Sequence, residues 1–223
     1  MTEQETIYQW IKDGELERAL KALFNNIEND PETIENYINA GIVLADAGEI
    51  EKAERFFQRA LTIDDKNGAV YYNLANLYYD QGRYREAIKL YQSASKYEMD
   101  QVDTNYMIGM SFNQLDAPKE ALSFLMTAAE RDQSTDAEVQ FQYGLVLCHL
   151  EMFEQAIKQL NVVLDIDSKH VDALYNLGLA TYMHSEDIDS TIAYFDKAIE
   201  IDSGHLLSQH AKVTFEALKN EEF

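Results

Sequence analysis

The chain has 223 residues, 46% apolar and 11% aromatic, with 18 Lys and Arg against 40 Asp and Glu, a formal charge of −22. It is long and apolar enough to bury a core and is no disordered acidic tail, while its charge repels phosphates and excludes sequence-independent binding to nucleic acid or to anionic lipid. The acid is spread along the chain, −9 over residues 1–111 and −13 over 112–223, and favours basic partners.

Two prolines and nine glycines in the whole chain point to a mostly helical molecule. The helices repeat. Small residues twelve apart recur as Gly41/Ala53, Ala75/Ala87, Gly109/Ala121 and Gly144/Ala156, and a third column runs Ala60, Ala94, Ala128, Val163, Ala198, all at steps of 34 or 35 residues. Between them apolar residues recur at three and four, the spacing of one helix face, so each unit reads as a helical hairpin.

In chain order, the first hairpin covers about 1–33, with a short first helix (Ile7, Trp10, Ile11) and a turn at Gly14. Hairpins at 34–67 and 68–101 turn at Gly48 and Gly82, where a left-handed cap suits a residue without Cβ. Those at 102–136 and 137–170 have Asp116 and Glu151 at that place. A sixth covers 171–205, and an amphipathic capping helix follows at 206–219, with Leu207, Ala211, Phe215 and Leu218 on one side and Gln209, Lys212, Glu216 and Lys219 on the other. The glycines Gly41, Gly109, Gly144 and Gly178 are expected where the two helices of a hairpin cross closely. Two one-residue insertions break the period: one between Ala128 and Gly144, beside Glu138 and Phe141, and one in the turn around His184-Ser185-Glu186-Asp187.

The third hairpin, with Tyr71, Leu74-Ala75, Tyr78, Gly82, Tyr84, Ala87, Tyr91 and Ala94, resembles the tetratricopeptide repeat, as do Tyr37, Ala40-Gly41, Leu44, Gly48, Ala53, Phe57 and Ala60 in the second, and Leu174, Leu177-Gly178, Thr181, Phe195 and Ala198 in the sixth. The resemblance covers essentially the whole chain. It implies an all-α, right-handed superhelical solenoid forming a single domain over 1–223, of the kind found in small bacterial repeat proteins, with first helices on the concave side and second helices on the convex side. The family's linker proline survives only as Pro31, with Asp65, Met99, Gln133, Ser168 and Ser203 in its place, which puts the rigidity of the linkers in question and not the fold.

No catalytic or metal motif stands out: there is no cysteine pair, no His-Glu-x-x-His, no Gly-x-Ser-x-Gly and no phosphate loop. The string Asp165-Ile166-Asp167-Ser168-Lys169-His170 fails as a calcium loop because Lys169 and His170 occupy a ligand and the turn-glycine position. Cys148 excludes an internal disulfide and is expected as a packed residue. With a start, Met1-Thr2-Glu3-Gln4-Glu5, unlike a signal peptide and no apolar run near the ~18 residues of a membrane span, a cytoplasmic location is expected. The expected catalytic, metal and cofactor sets are therefore none.

The windows 34–47, 68–81, 102–115, 137–150 and 171–184, which hold the first helices, contain no Lys or Arg. They carry Glu35, Asp46, Asp80, Asp103, Glu138 and Asp172. Counting each window's first residue as one, the fifth position gives Ile38, Tyr72, Tyr106, Phe141 and Tyr175, the sixth Asn39, Asn73, Met107, Gln142 and Asn176, and the twelfth adds Tyr79 and Tyr182, with Asn76 between. Aromatic faces, amides and carboxylates together make a trough for a basic or amphipathic segment of another protein. The family's carboxylate clamp for chaperone tails needs cations on the first helices and is not expected here, and the groove has the opposite sign to those of RNA-binding relatives. The expected role is a non-enzymatic scaffold or adaptor; the alternative is a structural, oligomer-forming subunit assembling through the convex face or the terminal helix.

Overall fold

Thirteen helices and no strand make up the computed structural model, which describes residues 2–133 and 135–221. They are α1 (Glu3–Lys12), α2 (Leu16–Asn29), α3 (Ile34–Asp46), α4 (Ile50–Ile63), α5 (Gly68–Asp80), α6 (Tyr84–Lys96), α7 (Gln101–Gln114), α8 (Pro118–Asp132), α9 (Ala137–His149), α10 (Phe153–Ile166), α11 (Val171–Ser185), α12 (Ile188–Ile201) and α13 (Leu206–Glu221). They divide into two compact units, one through Ser111 and one from Phe112. The short first helix begins in a capping box, in which the Glu5 amide donates to Thr2 Oγ1 (3.2 Å) and the Thr2 amide to Glu5 Oε2 (2.7 Å).

The small-residue columns form the hairpin contacts. A Cβ placed on Gly41 would lie 2.6 Å from the Phe57 ring, one on Gly178 2.7 Å from Phe195, and one on Gly144 2.9 Å from Leu160. A large side chain across the hairpin thus fills the space that glycine leaves. Ala53, Ala60, Ala87, Ala94, Ala121, Ala128, Ala156 and Ala198 are wholly buried. Where Thr191 replaces alanine, its hydroxyl bonds the Asp187 carbonyl (2.7 Å) and the Gly178 carbonyl (3.3 Å), so the extra polar atom is satisfied.

The turns divide by unit. Gly14, Gly48 and Gly82 have φ of 76°, 77° and 71°, whereas Asp116, Glu151 and Glu186 adopt 53°, 58° and 55° with a Cβ in place. The insertion near His184 lengthens α11 to 15 residues, and Glu186 closes it directly with its amide on the Tyr182 carbonyl (2.7 Å). The other insertion follows α8, which ends on left-handed Gln133.

Four linkers, the one with Pro31 among them, are stiffened by aspartate. Asp30, Asp64, Asp167 and Asp202 each end a second helix and accept, through Oδ1, the amide two residues on, at 3.3, 3.0, 3.0 and 2.8 Å. This is an Asx-turn. After α8 the carboxylate of Asp132 takes the amides of Thr135 and Asp136 (both 2.9 Å) and the Gln140 side chain (3.1 Å). Burial pushes the Asp132 carboxyl up, but these bonds outweigh it and hold the group below its usual range.

In α13 the expected packed stripe holds at Ala211, Phe215 and Leu218, which are partly buried, and departs at Leu207. Ser208 is buried and Phe215 packs on Tyr182 (4.7 Å between ring centres) and Phe195 (5.6 Å), but Leu207 is 55% exposed. Lys212 and Lys219, expected on the solvent side, lie over α12 and reach Asp196 and Asp189. Their ammonium groups find carboxylates of α12, so two cations expected to face solvent tie α13 to the helix beneath it.

Candidate functional site

Within each unit the first helices touch one another, α3 with α5 and α9 with α11, while second helices pack against their own first helix and the next one. The first helices therefore form a shared wall in each unit. None of α3, α5, α7, α9 and α11 carries Lys or Arg; most cations sit on second helices or at their caps, several paired locally, as in Lys52–Glu49 (3.0 Å), Arg83–Glu86 (2.6 Å) and Lys158–Glu154 (2.6 Å).

On the first unit's wall, Glu35, Asp46, Asp80 and Asp103 are exposed. Burial and the charge of Asp46 on the neighbouring helix both raise the Asp80 carboxyl, so two like charges face each other between α3 and α5. Tyr72 is half-buried against Tyr91 (5.5 Å), and its phenol is pushed up to about 12, first by burial and then by Asp103 and Asp100. Asn76 accepts the Tyr91 hydroxyl (2.6 Å) and Asn73 donates to the Ala69 carbonyl (2.8 Å). Asn39 borders a small pocket with Ile7 and Tyr8, Tyr79 meets Tyr84 edge to face (5.2 Å), and Tyr106 is half-buried.

On the second unit's wall, Glu138 and Asp172 are exposed, Gln142 donates to Glu138 (2.8 Å) and Asn176 to the Asp172 carbonyl (2.8 Å). Tyr175 lies against Phe195 (5.9 Å) and His205 (5.8 Å), and Tyr182 against Phe215. His205 spans Asp172 Oδ1 (3.2 Å) and Ser208 Oγ (2.7 Å), but Ser208 is fully buried, so the trio fastens the start of α13 to α11 and is no nucleophile. Cys148 is partly buried against the core, and burial pushes its thiol up to about 11, which keeps it protonated. Among the described residues no group of three His, Cys, Asp or Glu is placed to hold a metal.

Two residues of the expected trough lie in the core. Ile38 is 9% exposed among Leu44, Phe57 and Leu74, and Phe141 is 7% exposed among Leu160, Val163 and Leu177, with His170 on its face at 4.5 Å. The fifth and twelfth positions lean against neighbouring helices. The solvent stripe is instead the second, sixth, ninth and thirteenth positions, which share one face at 3.6 residues per turn. It adds Ile42, Met110, Leu145, Leu179, His149 and Met183, which the aromatic-first reading passes over; stepping by four and three from the exposed carboxylates would have reached them.

Residues 44–106 match one tetratricopeptide repeat model and residues 171–205 another. The crystal structure of YrrB, described as a TPR protein with an unusual peptide-binding site, is 34% identical, covers 86% of this chain and 98% of its own, and superposes with a TM-score of 0.76. The chain belongs to the tetratricopeptide repeat family. PilF of Pseudomonas aeruginosa has the same fold at 19% identity, with a TM-score of 0.78 over 94% of this chain and 95% of its own. The TPR repeat-containing protein YpiA of Bacillus subtilis is 25% identical over 70% of this chain, and human TMTC1, named a protein O-mannosyl-transferase, 25% identical over 74% of it. The chain spans only 37% and 23% of those two proteins. This TPR chain is thus an all-α repeat solenoid of the protein-interaction scaffold type, and among the described residues no helix is long and apolar enough to cross a membrane.

Proposed function

We propose that this TPR chain is a non-enzymatic cytoplasmic adaptor, working as one domain without a cofactor, whose first-helix walls hold a basic or amphipathic segment of a partner protein. The observation that carries the reading is the sign of the walls: exposed Glu35, Asp46, Asp80, Asp103, Glu138 and Asp172 on helices without one Lys or Arg. An exposed ion pair contributes only about 0.2–1 kcal/mol, so several act together and the affinity is on the order of micromolar and falls with salt. The peptide-binding site ascribed to YrrB is consistent with a ligand of this kind. The test compares partners retained from lysate, at low and high salt, by the chain and by its Asp80→Asn, Asp103→Asn, Glu138→Gln triple variant. Loss of partners in the variant and in salt supports the reading; identical retention in all four conditions sinks it.

One observation favours assembly through the terminal helix as a second reading: Leu206, Leu207 and Val213 on α13 are 65%, 55% and 66% exposed. Light scattering across a concentration series, with Val213→Glu as control, decides it, since a monomer throughout removes self-assembly.

A further inference from the structure

Two cavities open along the turn-side edge of the second unit's wall, with volumes of about 210 and 310 Å³. They are the same cavity one repeat apart. Asn113, Pro118, Gln142, Leu145, Val146 and His149 line the first, and Cys148, Phe153, Asn176, Leu179, Ala180 and Met183, the residues 34 or 35 further on, hold the matching places in the second. Each has an aliphatic floor (Leu145 with Val146, Leu179 with Ala180) and a wall from the start of the following second helix (Pro118, Phe153). Both are at or below the low end of the ~300–1,000 Å³ typical of small-molecule sites, so each suits a side chain better than a cofactor. No Lys or Arg lines either one; Glu151 borders the second, and Asp116, its counterpart at the left-handed turn, lies two residues before Pro118. In the first unit the counterparts of Asn113 and Pro118 are Tyr79 and Tyr84, whose rings meet at 5.2 Å at this place.

We propose that these two cavities take successive large apolar side chains, leucine or methionine in kind, from one partner segment whose flanking Lys or Arg residues face Asp116 and Glu151. The proposal rests on the adaptor reading and adds to it a specificity that charge alone does not provide. Helices in contact, as α9 and α11 are, lie about 8–10 Å apart, which three residues of extended chain span at roughly 3.1–3.3 Å each. The apolar anchors therefore stand three residues apart in the ligand.

The test uses the full chain and two short lysine-rich synthetic peptides, one with two leucines three residues apart and one with both replaced by serine. Affinity is read by fluorescence anisotropy, and contact by the NMR signal of the Met183 methyl group, which is assigned with Met183→Leu. The leucine peptide is expected to bind about tenfold tighter, to shift the Met183 signal, and to lose most of that advantage with Met183→Glu or Leu179→Ser. Met183 is 59% exposed, so its replacement spares the core. Equal binding of the two peptides with an unmoved Met183 signal overturns the cavities as anchors while leaving the acidic walls standing. Failure of both peptides to bind overturns the adaptor reading along with it.

Discussion

The two units solve the same hairpin turn differently. At that turn the left-handed residue is glycine in the first unit (Gly14, Gly48, Gly82) and a carboxylate residue in the second (Asp116, Glu151, Glu186), at a φ about 20° smaller. A left-handed L-residue costs roughly 1–2 kcal/mol, so the second unit carries a recurring penalty that the first avoids. What it gains is a charged side chain at every turn, bordering the side of the wall where its cavities open. Both walls carry carboxylates, amides and tyrosines, but at the ninth and thirteenth positions the first has Ile42, Asp46, Asn76 and Asp80 where the second has Leu145, His149, Leu179 and Met183, beside acidic turns.

The largest effect that separates the units lies at the helix crossings. Gly41→Ala drives a Cβ to 2.6 Å from the rigid Phe57 ring, whereas Gly144→Ala meets Leu160 Cδ2 at 2.9 Å, the end of a side chain that can rotate. Gly41→Ala is expected to cost about 1–3 kcal/mol and Gly144→Ala clearly less, as read by urea denaturation; equal losses would place the strain in the backbone and not in the facing side chain.

Exchanging the turn chemistry comes next. Gly48→Ala should destabilise by about 1 kcal/mol, and Glu151→Gly should stabilise by about 0.5–1 kcal/mol as the left-handed strain is relieved. A loss in the second case would mean that the Glu151 side chain does more for the fold than its backbone angle costs.

Acid should act on the units in opposite directions. The Asp132 carboxyl is held below its usual range, so its contribution is complete above the ordinary carboxylate pKa and disappears as pH falls through its own lower value. Asp80 is raised by burial and by Asp46, so it costs stability near neutrality, and that cost is relieved as pH falls through its raised value. Amide exchange is the measurement. Thr135 and Asp136, bonded to Asp132, should lose protection in acid, while Asp80→Asn should gain a few tenths of a kcal/mol at neutral pH and nothing in acid.

The period made most of the fold legible. The expected first-helix windows 34–47 and 171–184 coincide to within a residue with Ile34–Asp46 and Val171–Ser185, because a crossing glycine and a turn residue seven or eight positions later fix both ends. Both insertions fall where the broken spacing put them. The exposed face of each first helix was harder to read. Tyr72 and Phe141 hold equivalent positions, yet one is half-buried and the other in the core, a difference set by the neighbouring helix and not by the residue's own spacing. In α13 the stripe was legible at Ala211, Phe215 and Leu218 but not at Leu207, and spacing alone gave no sign that Lys212 and Lys219 pair with Asp196 and Asp189 on α12.

The linker aspartates alter what the net charge means. Asp30, Asp64, Asp167 and Asp202 are turn residues first, and an Asx-turn needs an oxygen acceptor and not a charge. Asp64→Asn should therefore leave stability within about 0.5 kcal/mol, while Asp64→Ala loses the bond to the Lys66 amide and about 1 kcal/mol. Aspartate and asparagine codons differ by a single base. The joints between hairpins can thus gain or shed charge one nucleotide at a time with the fold unchanged, which leaves a solenoid of this kind free to drift in isoelectric point while its walls stay under selection for whatever they hold.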